Sequence, residues 1–581
     1  MGVPVMKITQ VLSTVFPVVQ TLTTYNKDNL RGDLSAGVTV AIMLIPQGMA
    51  YSVLAGLPPV YGLYASLIPI ILYALLGTSR QLAVGPVAMV SLLVLAGVGQ
   101  YAEPGSERFI QLAIVAALGV GLVQFLMGIF RMGFVVNFLS HPVLSGFTSA
   151  AALVIASSQV KSLFGLDMPR TSKFLDTAME AGRNITTMDP LTAAIGLGTV
   201  AIILGLRAWK KTFPSALVVV GLSILLVFGL DLESAGLAIV GDIPRGFPTF
   251  DTSFLSVADL QLLLPLIMVI ALVSYMESIA VAKTIASRRG YTVDANRELV
   301  GLGMANIGGS FFQAFPTTGG FSRTAVNDQA GAKTPVASLI SVALIGFTLL
   351  FLTPLFYYLP MAVLAGIIVV AVFGLINIGE MTHLWHTDKR DFIMLMVTFA
   401  ATLFIGIKEG IAVGVVMSLV MVIYQSTRPH TAELGELGDS GKFRNLNRYP
   451  EARVHPELLV YRFDAPLYFA NAGLFKEELE RLLARRGGSV RRVVLVAASM
   501  TGIDSTGVQM LEKLVGELDK AGIDLVVSGA TGPVRDALHR GGITRLLGED
   551  KFYFDAADAL RHWEQRDRQP GQAEFSPLQA Y

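Results

Sequence analysis

Up to about residue 427 the chain is a succession of long apolar runs broken by short polar turns. Beyond it, short apolar stretches alternate with amphipathic ones. Runs long enough to cross a bilayer as helices recur from Leu34 onward. Fourteen membrane segments are expected, in two sets of seven: 34–54, 60–76, 86–99, 109–130, 134–159, 190–207 and 214–230, then 259–282, 295–312, 321–333, 335–355, 360–378, 391–407 and 410–427. Two of them, 86–99 and 321–333, are too short or too polar for ordinary spans. Residues 428–450 read as a polar linker rich in Gly and Pro. After it, ELLVYRF, RRVVLVAA and DLVVSGA read as strands. GLFKEELERLLARR, STGVQMLEKLVGELDKAG and TGPVRDALHRGGI read as helices. This alternation predicts a small α/β domain. The expected layout is an N-terminal segment 1–33, a transmembrane domain 34–427, the linker 428–450, the α/β domain 451–565 and a flexible tail 566–581.

Composition sharpens this picture. Charged residues make up 15% of the 581 positions and hydrophobic ones 53%, against roughly 25% charged in soluble domains. The chain reads as a polytopic α-helical membrane protein whose first partner is the lipid bilayer. It has no cysteine, which excludes disulfides and thiolate metal sites. Its net charge of +1 gives no sign of a nucleic-acid partner. No nucleophile–base constellation or metal cluster stands out, so neither an enzyme nor a metal or other cofactor is expected. The N-terminus lacks a signal-peptide cleavage pattern. An even number of spans puts both termini on one side. The loops on that side hold Arg80, Arg131, Arg207, Lys210, Lys211, Lys283, Arg288, Arg289, Arg297, Lys333, Lys389 and Arg390. The opposite loops hold fewer cations: Arg108, Lys161, Arg170, Lys173, Arg183, Arg245 and Lys408. Both termini are therefore expected in the cytoplasm.

The two halves echo each other. Gln47 in the first span precedes Gly85, which opens the short third segment. Glu277 in the eighth span precedes Gly320, which opens the short tenth, at a similar spacing. Seven is odd, so the second half is inverted relative to the first, and paired interrupted segments in inverted halves mark a midplane transporter site. The break FPTTGGFSRTAVN carries Arg323 where a helix begins inside membrane sequence. An intramembrane Arg marks a solute or ion pathway, and a helix start adds free N–H groups and partial positive charge. Gly85-Pro86 reads as a second helix start with Pro at the first helical position, leaving the N–H groups of Val87, Ala88 and Met89 free. Gln47 and Tyr51 share a helix face that suits either an anion's oxygens or interhelical hydrogen bonds, and spacing alone favours the second. Glu277, alone in an apolar helix, reads as a proton carrier, with a helix-packing carboxyl bonded to backbone as the structural alternative; for Arg323 the structural alternative is an ion pair with an acid such as Glu277. In MTGIDSTGVQML, Asp504 or Ser505 caps a helix, and Ser505 is also a candidate for phosphorylation.

Taken together, PQGMAYSVLAGLPPVYGLYAS, GTSRQLAVGPVAMVS, SYMESIAVAKTIASRRGY, LGMANIGGSFFQAFPTTGGFSRTAVN and IDSTGVQML resemble the SulP sulfate-permease family of anion transporters, relatives of prestin. The likeness spans essentially residues 30 to 565 and is nearest to the plant-type proton-coupled sulfate transporters. It implies a seven-plus-seven inverted repeat split into core and gate domains, elevator-like movement, a homodimer and a cytoplasmic STAS domain. It places Gln47, Tyr51, Ser322 and Arg323 at the anion, with Val87 and Ala88 at the third-segment start, where some relatives carry an aromatic. Val281 stands where sodium-coupled bicarbonate relatives carry Asp, which argues against a sodium site. In some STAS domains the serine matching Ser505 is phosphorylated, and a cytoplasmic protein partner of the domain is implied. The expected activity is proton-coupled sulfate uptake across the cytoplasmic (inner) membrane, a symport. The rivals are bicarbonate, C4-dicarboxylate or chloride transport, and, from another class, a STAS-based regulatory scaffold.

Overall fold

The computed structural model describes residues 17–23, 25–138, 140–169, 174–209, 215–438 and 440–568. Residues 1–16 of the expected N-terminal segment, 569–581 of the expected tail, and Arg170, Lys173, Lys210 and Lys211 of the charge comparison lie outside them. The chain forms two units, Met1–Ser418 and Leu419–Tyr581.

In the first unit a helix stands at each of the fourteen expected segments. Among the described residues, eight helices are long and apolar enough to cross a membrane, and Val60–Leu76, Ala88–Val98 and Ser215–Leu230 are shorter apolar ones. Helix α1, Lys27–Leu54, starts under an Asn26 cap that accepts from the Asn29 N–H, earlier than the expected 34. Pro46 lies inside it and removes one bond of its ladder beside Gln47. The two-residue strand β1, Val84–Gly85, leads into α2, Ala88–Val98. Helix α3, Glu107–Ile129, is capped by Ser106. Helix α4, Leu264–Arg289, ends at Gly290 in the left-handed conformation. Helix α5, Ala295–Ser310, begins under an Asp294 cap. Strand β2, Thr318–Gly319, then leads into α6, Phe321–Gln329.

Helices α3 and α5 meet almost backbone to backbone. A methyl group on Gly303 would come within 2.6 Å of Phe125 N, and one on Gly121 within 2.6 Å of Ile307 N. Small residues permit such close helix packing where lipid supplies no hydrophobic drive. Around this pair α1 packs on α2 and α6, and α4 packs on α2, α3, β2 and α6. The helix Pro190–Trp209 has far less of its length buried than α1 or α3, and apolar residues such as Leu225 and Phe228 on Ser215–Leu230 stand exposed.

The second unit begins within α7, Ile407–Thr427. Its six strands are β3 Thr431–Glu436, β4 Phe443–Asn445, β5 Leu458–Phe463, β6 Arg492–Val496, β7 Asp524–Ser528 and β8 Phe552–Tyr553, in the order β4-β3-β5-β6-β7-β8. β3 runs antiparallel to β4 and β5, and β5 to β8 are parallel. The helices are α8 Ala472–Arg485, α9 Ser505–Lys520, α10 Gly532–Arg540 and α11 Ala556–Arg568. Side chains alternate as a pleat requires. Leu459, Tyr461, Phe463, Val493, Leu495, Leu525 and Val527 join the core that α8, α9 and α10 cover. Leu458, Val460, Val494 and Val526 join a second core with Ala559 and Leu560 of α11.

Two boundaries are corrected. Residues 428–450 are no linker, because β3 and β4 lie within them and β3 extends the sheet by pairing Thr431–Leu434 with Val460–Phe463, with β4 outside it as the edge strand. The helix α11 runs to Arg568, past the expected start of the tail at 566. Asp504, left open against Ser505 as the cap of α9, is the cap: it accepts from the Gly507 N–H at 2.8 Å, and Ser505 is the exposed first residue of the helix.

Candidate anion site

The two half-helices α2 and α6 begin side by side because the chain in front of each is extended and the two extended pieces pair. Val84 lies opposite Gly319 and Gly85 opposite Thr318 in an antiparallel clasp, and the Gly320 N–H donates to Ala83 O at 3.1 Å. This corrects the reading of Pro86 as the first helical residue. The helix starts at Ala88 with Val87 as its extended cap residue, so the free N–H groups shift along the chain. The α6 start agrees with expectation, with Gly320 as cap residue.

Polar side chains hold the clasp in place. Asn306 Oδ1 accepts from the Thr317 N–H at 2.8 Å, and Asn306 Nδ2 donates to Thr317 O and to Gln124 Oε1. Ser278 Oγ accepts from the Gly319 N–H at 2.8 Å, and Thr318 Oγ1 donates to Ser274 O at 2.6 Å. Thr324 Oγ1 accepts from the Ala83 N–H, and Asn327 Nδ2 donates to Gln81 O. Two buried carboxylates close the flanking loops. Glu298 accepts from Tyr73 Oη, from the Thr78 N–H and hydroxyl, and from the Ser79 N–H. Asp33 accepts from the Lys333 and Thr334 N–H groups and from the Thr334 hydroxyl. Sequence reasoning missed this network. Its only signal was polar side chains at helical spacing, Ser274 and Ser278, within an apolar run.

Arg323 is 1% exposed. Its Nη1 donates to the Pro86 carbonyl at 2.5 Å, reaching from α6 to the mouth of α2. Among the described residues its Nε and Nη2 have no hydrogen-bond partner. Glycine is required around it. Gly85 has φ +149°, a conformation L side chains rarely adopt, and a Cβ there would lie 3.4 Å from Arg323 Nη2. A Cβ on Gly320 would lie 3.2 Å from the same atom. Glu277 forms no ion pair with Arg323 and its Oε2 is buried without a partner, although the two charges lie within electrostatic reach of each other. Gln47 Oε1 is likewise buried and unpaired. A buried polar atom left unpaired costs about 1–3 kcal/mol, and Arg323 brings two such atoms to the pair of helix starts.

The other expected residues fall around this point. Tyr51 is buried on α1, within electrostatic reach of Arg323 and Glu277, and also of Arg207 on the helix Pro190–Trp209. Arg207 had been counted only as a loop charge. Ala88 is buried, Val87 half-buried and Ser322 exposed at the start of α6. Among the described residues no cluster of side chains is suited to hold a metal ion.

A transmembrane unit with two clasped half-helices around a buried arginine, joined to an α/β unit, defines an anion-transporter architecture. The chain belongs to the sulfate permease family, whose model matches residues 30–398, and a STAS domain matches 449–559. It is 40% identical to "Sulfate transporter 4.1, chloroplastic" of Arabidopsis thaliana over 96% of this chain and 83% of that protein. It is 34% identical to "High affinity sulfate transporter 2" of Stylosanthes hamata over 94% of this chain and 86% of that one. Among solved structures it superposes on the murine Solute Carrier 26 family member A9 anion transporter in the inward-facing state with a TM-score of 0.88, at 26% identity, covering 95% of this chain and 94% of that one. The transmembrane domain of a cyanobacterium bicarbonate transporter, BicA, shares the fold at a TM-score of 0.59 and 23% identity, over 68% of this chain and 98% of that one. The protein is a multi-pass membrane protein of this transporter family.

Proposed function

We propose that the protein is a secondary active transporter that takes up sulfate together with protons. The observation that carries this reading is Arg323, buried between two half-helix starts with two guanidinium nitrogens, Nε and Nη2, unpaired among the described residues. An oxyanion at this point accepts from Nε and Nη2 and from the free N–H groups of α2 and α6. Gln47, Tyr51 and Ser322 supply further hydrogen bonds, and Val87 and Ala88 border the pocket with small apolar groups. Glu277 carries the proton, because an anion beside Arg323 screens the positive charge that favours the ionised carboxylate, so the two cargoes bind together. The sulfate-transporter names of the relatives support sulfate as cargo.

The seven-plus-seven crossing count, cytoplasmic termini, cytoplasmic (inner) membrane location, elevator-like movement and homodimer belong to the same proposal, as do the domain limits other than the two corrected above. The exposed apolar faces of Ser215–Leu230 suit lipid or a second copy. Ser505, exposed at the start of α9, suits phosphorylation and recognition by a protein partner.

Uptake of labelled sulfate into proteoliposomes under an imposed pH gradient tests the reading. Accumulation driven by the gradient, competed by unlabelled sulfate and not by bicarbonate, C4-dicarboxylates or chloride, is the expected result. Competition by one of those anions alone reassigns the cargo. An absence of all transport, with a cellular phenotype that survives loss of the membrane unit, would leave the regulatory-scaffold reading.

A further inference from the structure

The second unit contains a basic cleft that the transport reading does not use. It has a volume of about 480 Å³ and is walled by His430, Arg444, Arg448, Tyr449, Arg462 and Asp464. Its frame is built by the fold. His430 follows closely on Thr427, the end of α7. Arg444 lies on β4 and Arg462 on β5, strands that flank β3 on either side. The turn carrying Arg448 and Tyr449 is fixed by Asn445. Its carbonyl accepts from both of their N–H groups at 3.0 Å, and its Oδ1 accepts from the Asn447 N–H at 2.9 Å.

The charges in this cleft do not balance. Asp464 is the one carboxylate, and it already accepts from Arg462 Nη2 at 2.9 Å and lies 2.7 Å from His430 Nδ1. Arg462 Nε is buried and forms no hydrogen bond, although Asp464 Oδ1 is 2.7 Å away. Among the described residues the Arg444 guanidinium bonds only the carbonyl of its neighbour Phe443. Among the described residues the Arg448 guanidinium has no partner. Three guanidinium groups therefore converge against a single, shared carboxylate. A guanidinium presents planar pairs of donors that match the oxygens of phosphate-type anions, and convergent arginines are the usual way to hold them. The last turn of α7, a helix of membrane-crossing length, is fastened to the same unit, since Asn471 Nδ2 donates to Ser426 O at 3.3 Å. His430 comes three residues after Thr427, the end of that helix, so a lipid headgroup is tested beside free phosphate as a source of the anion.

We propose that this cleft is a second anion site, taking a phosphate-type tetrahedral oxyanion either free or as the headgroup of an anionic lipid. It stands apart from the Arg323 site in sequence and in the elements that build it, so its truth does not depend on the cargo being sulfate.

The test uses the purified full-length protein. Inorganic phosphate is titrated against wild type, Arg323→Ala, and Arg323→Ala combined with R444Q/R448Q, and binding is read from ³¹P line broadening. Native mass spectrometry with short-chain phosphatidic acid, against phosphatidylcholine as control, reads the lipid arm on wild type and R444Q/R448Q. Both arginines are exposed, and an unchanged melting temperature confirms that the variants fold. Phosphate binding that persists in Arg323→Ala and weakens at least about tenfold when Arg444 and Arg448 are also replaced supports a free anion; a tenfold change is the loss of one good charge-assisted contact. Retention of phosphatidic acid by wild type and its loss from R444Q/R448Q supports the headgroup. Equal binding of both probes with and without the two arginines overturns the proposal.

Discussion

Two buried arginines, one in each unit, are bonded in opposite ways. Arg492 on β6 is 2% exposed, and among the described residues none of its buried nitrogens lacks a partner. Its Nε donates to Asp524 Oδ2 at 2.9 Å, Lys551 Nζ reaches the same carboxylate at 2.8 Å, and its guanidinium lies 4.7 Å from the Trp563 ring centre. Arg323 is buried as deeply yet has one partner, a carbonyl, and two unused donors. Depth of burial alone therefore does not separate a structural charge from a functional one. The separation lies in whether the protein itself completes the hydrogen bonds. A completed set holds strands and helix together, and an incomplete one waits for a ligand.

The difference is open to direct attack. Arg323→Ala should weaken sulfate binding about a hundredfold or more, the loss of two charge-assisted donors, while the melting temperature holds or rises; calorimetric titration and a thermal melt on the same sample separate the two effects. Arg492→Ala should do the reverse, lowering stability by about 2 kcal/mol with sulfate binding at the membrane unit unchanged. A denaturation series that showed no loss would mean that Arg492 is not structural. Gly320→Ala places a Cβ 3.2 Å from Arg323 Nη2. At an overpacking cost of about 1–3 kcal/mol, uptake should fall roughly tenfold, with Arg323 displaced rather than lost. Glu277→Gln should keep sulfate binding but make accumulation in proteoliposomes indifferent to the pH gradient; a full pH response in that variant ends the proton-carrier role.

The smallest expected effect is at Asp464. Burial alone would raise its carboxyl, but hydrogen bonds from Arg462, His430 and Ser499 outweigh it and hold the group below the ordinary carboxylate range. The folded value lies below the unfolded one, so the stabilisation is present above the ordinary carboxylate range and is lost as pH falls through the folded value. Asp464→Asn should flatten the acid limb of a stability-versus-pH curve for the second unit.

Much of this architecture was legible in the chain. Long apolar runs imply helices, because no other open element satisfies its backbone within lipid, and the strands and helices after residue 457 kept their own periods. Arg323, Glu277 and Gln47 were legible for a related reason, since polar groups are costly in such runs and stand out. What escaped was carried by the main chain. The pairing of Val84–Gly85 with Thr318–Gly319 joins strands too short to show any alternation, so Pro86 was read as a helix start. β3 was hidden for a similar reason: Gly435 and its polar neighbours look like a linker until Leu458–Phe463 is there to pair with. The Arg444–Arg448–Arg462 cleft was equally illegible, because its members come from separate strands and a turn, and only the sheet brings them together.

The clasp in front of the two half-helices has a consequence for how such a protein changes over generations. Its rungs are peptide groups, which substitution of most side chains leaves untouched, so the scaffold that presents two helix starts to an anion is inherited nearly whole. The groups proposed to shape the pocket, among them Gln47, Tyr51, Val87 and Ala88, stand outside those rungs, so their substitution leaves the pairing intact. A lineage can try one cargo after another without first having to reinvent the place where a cargo sits.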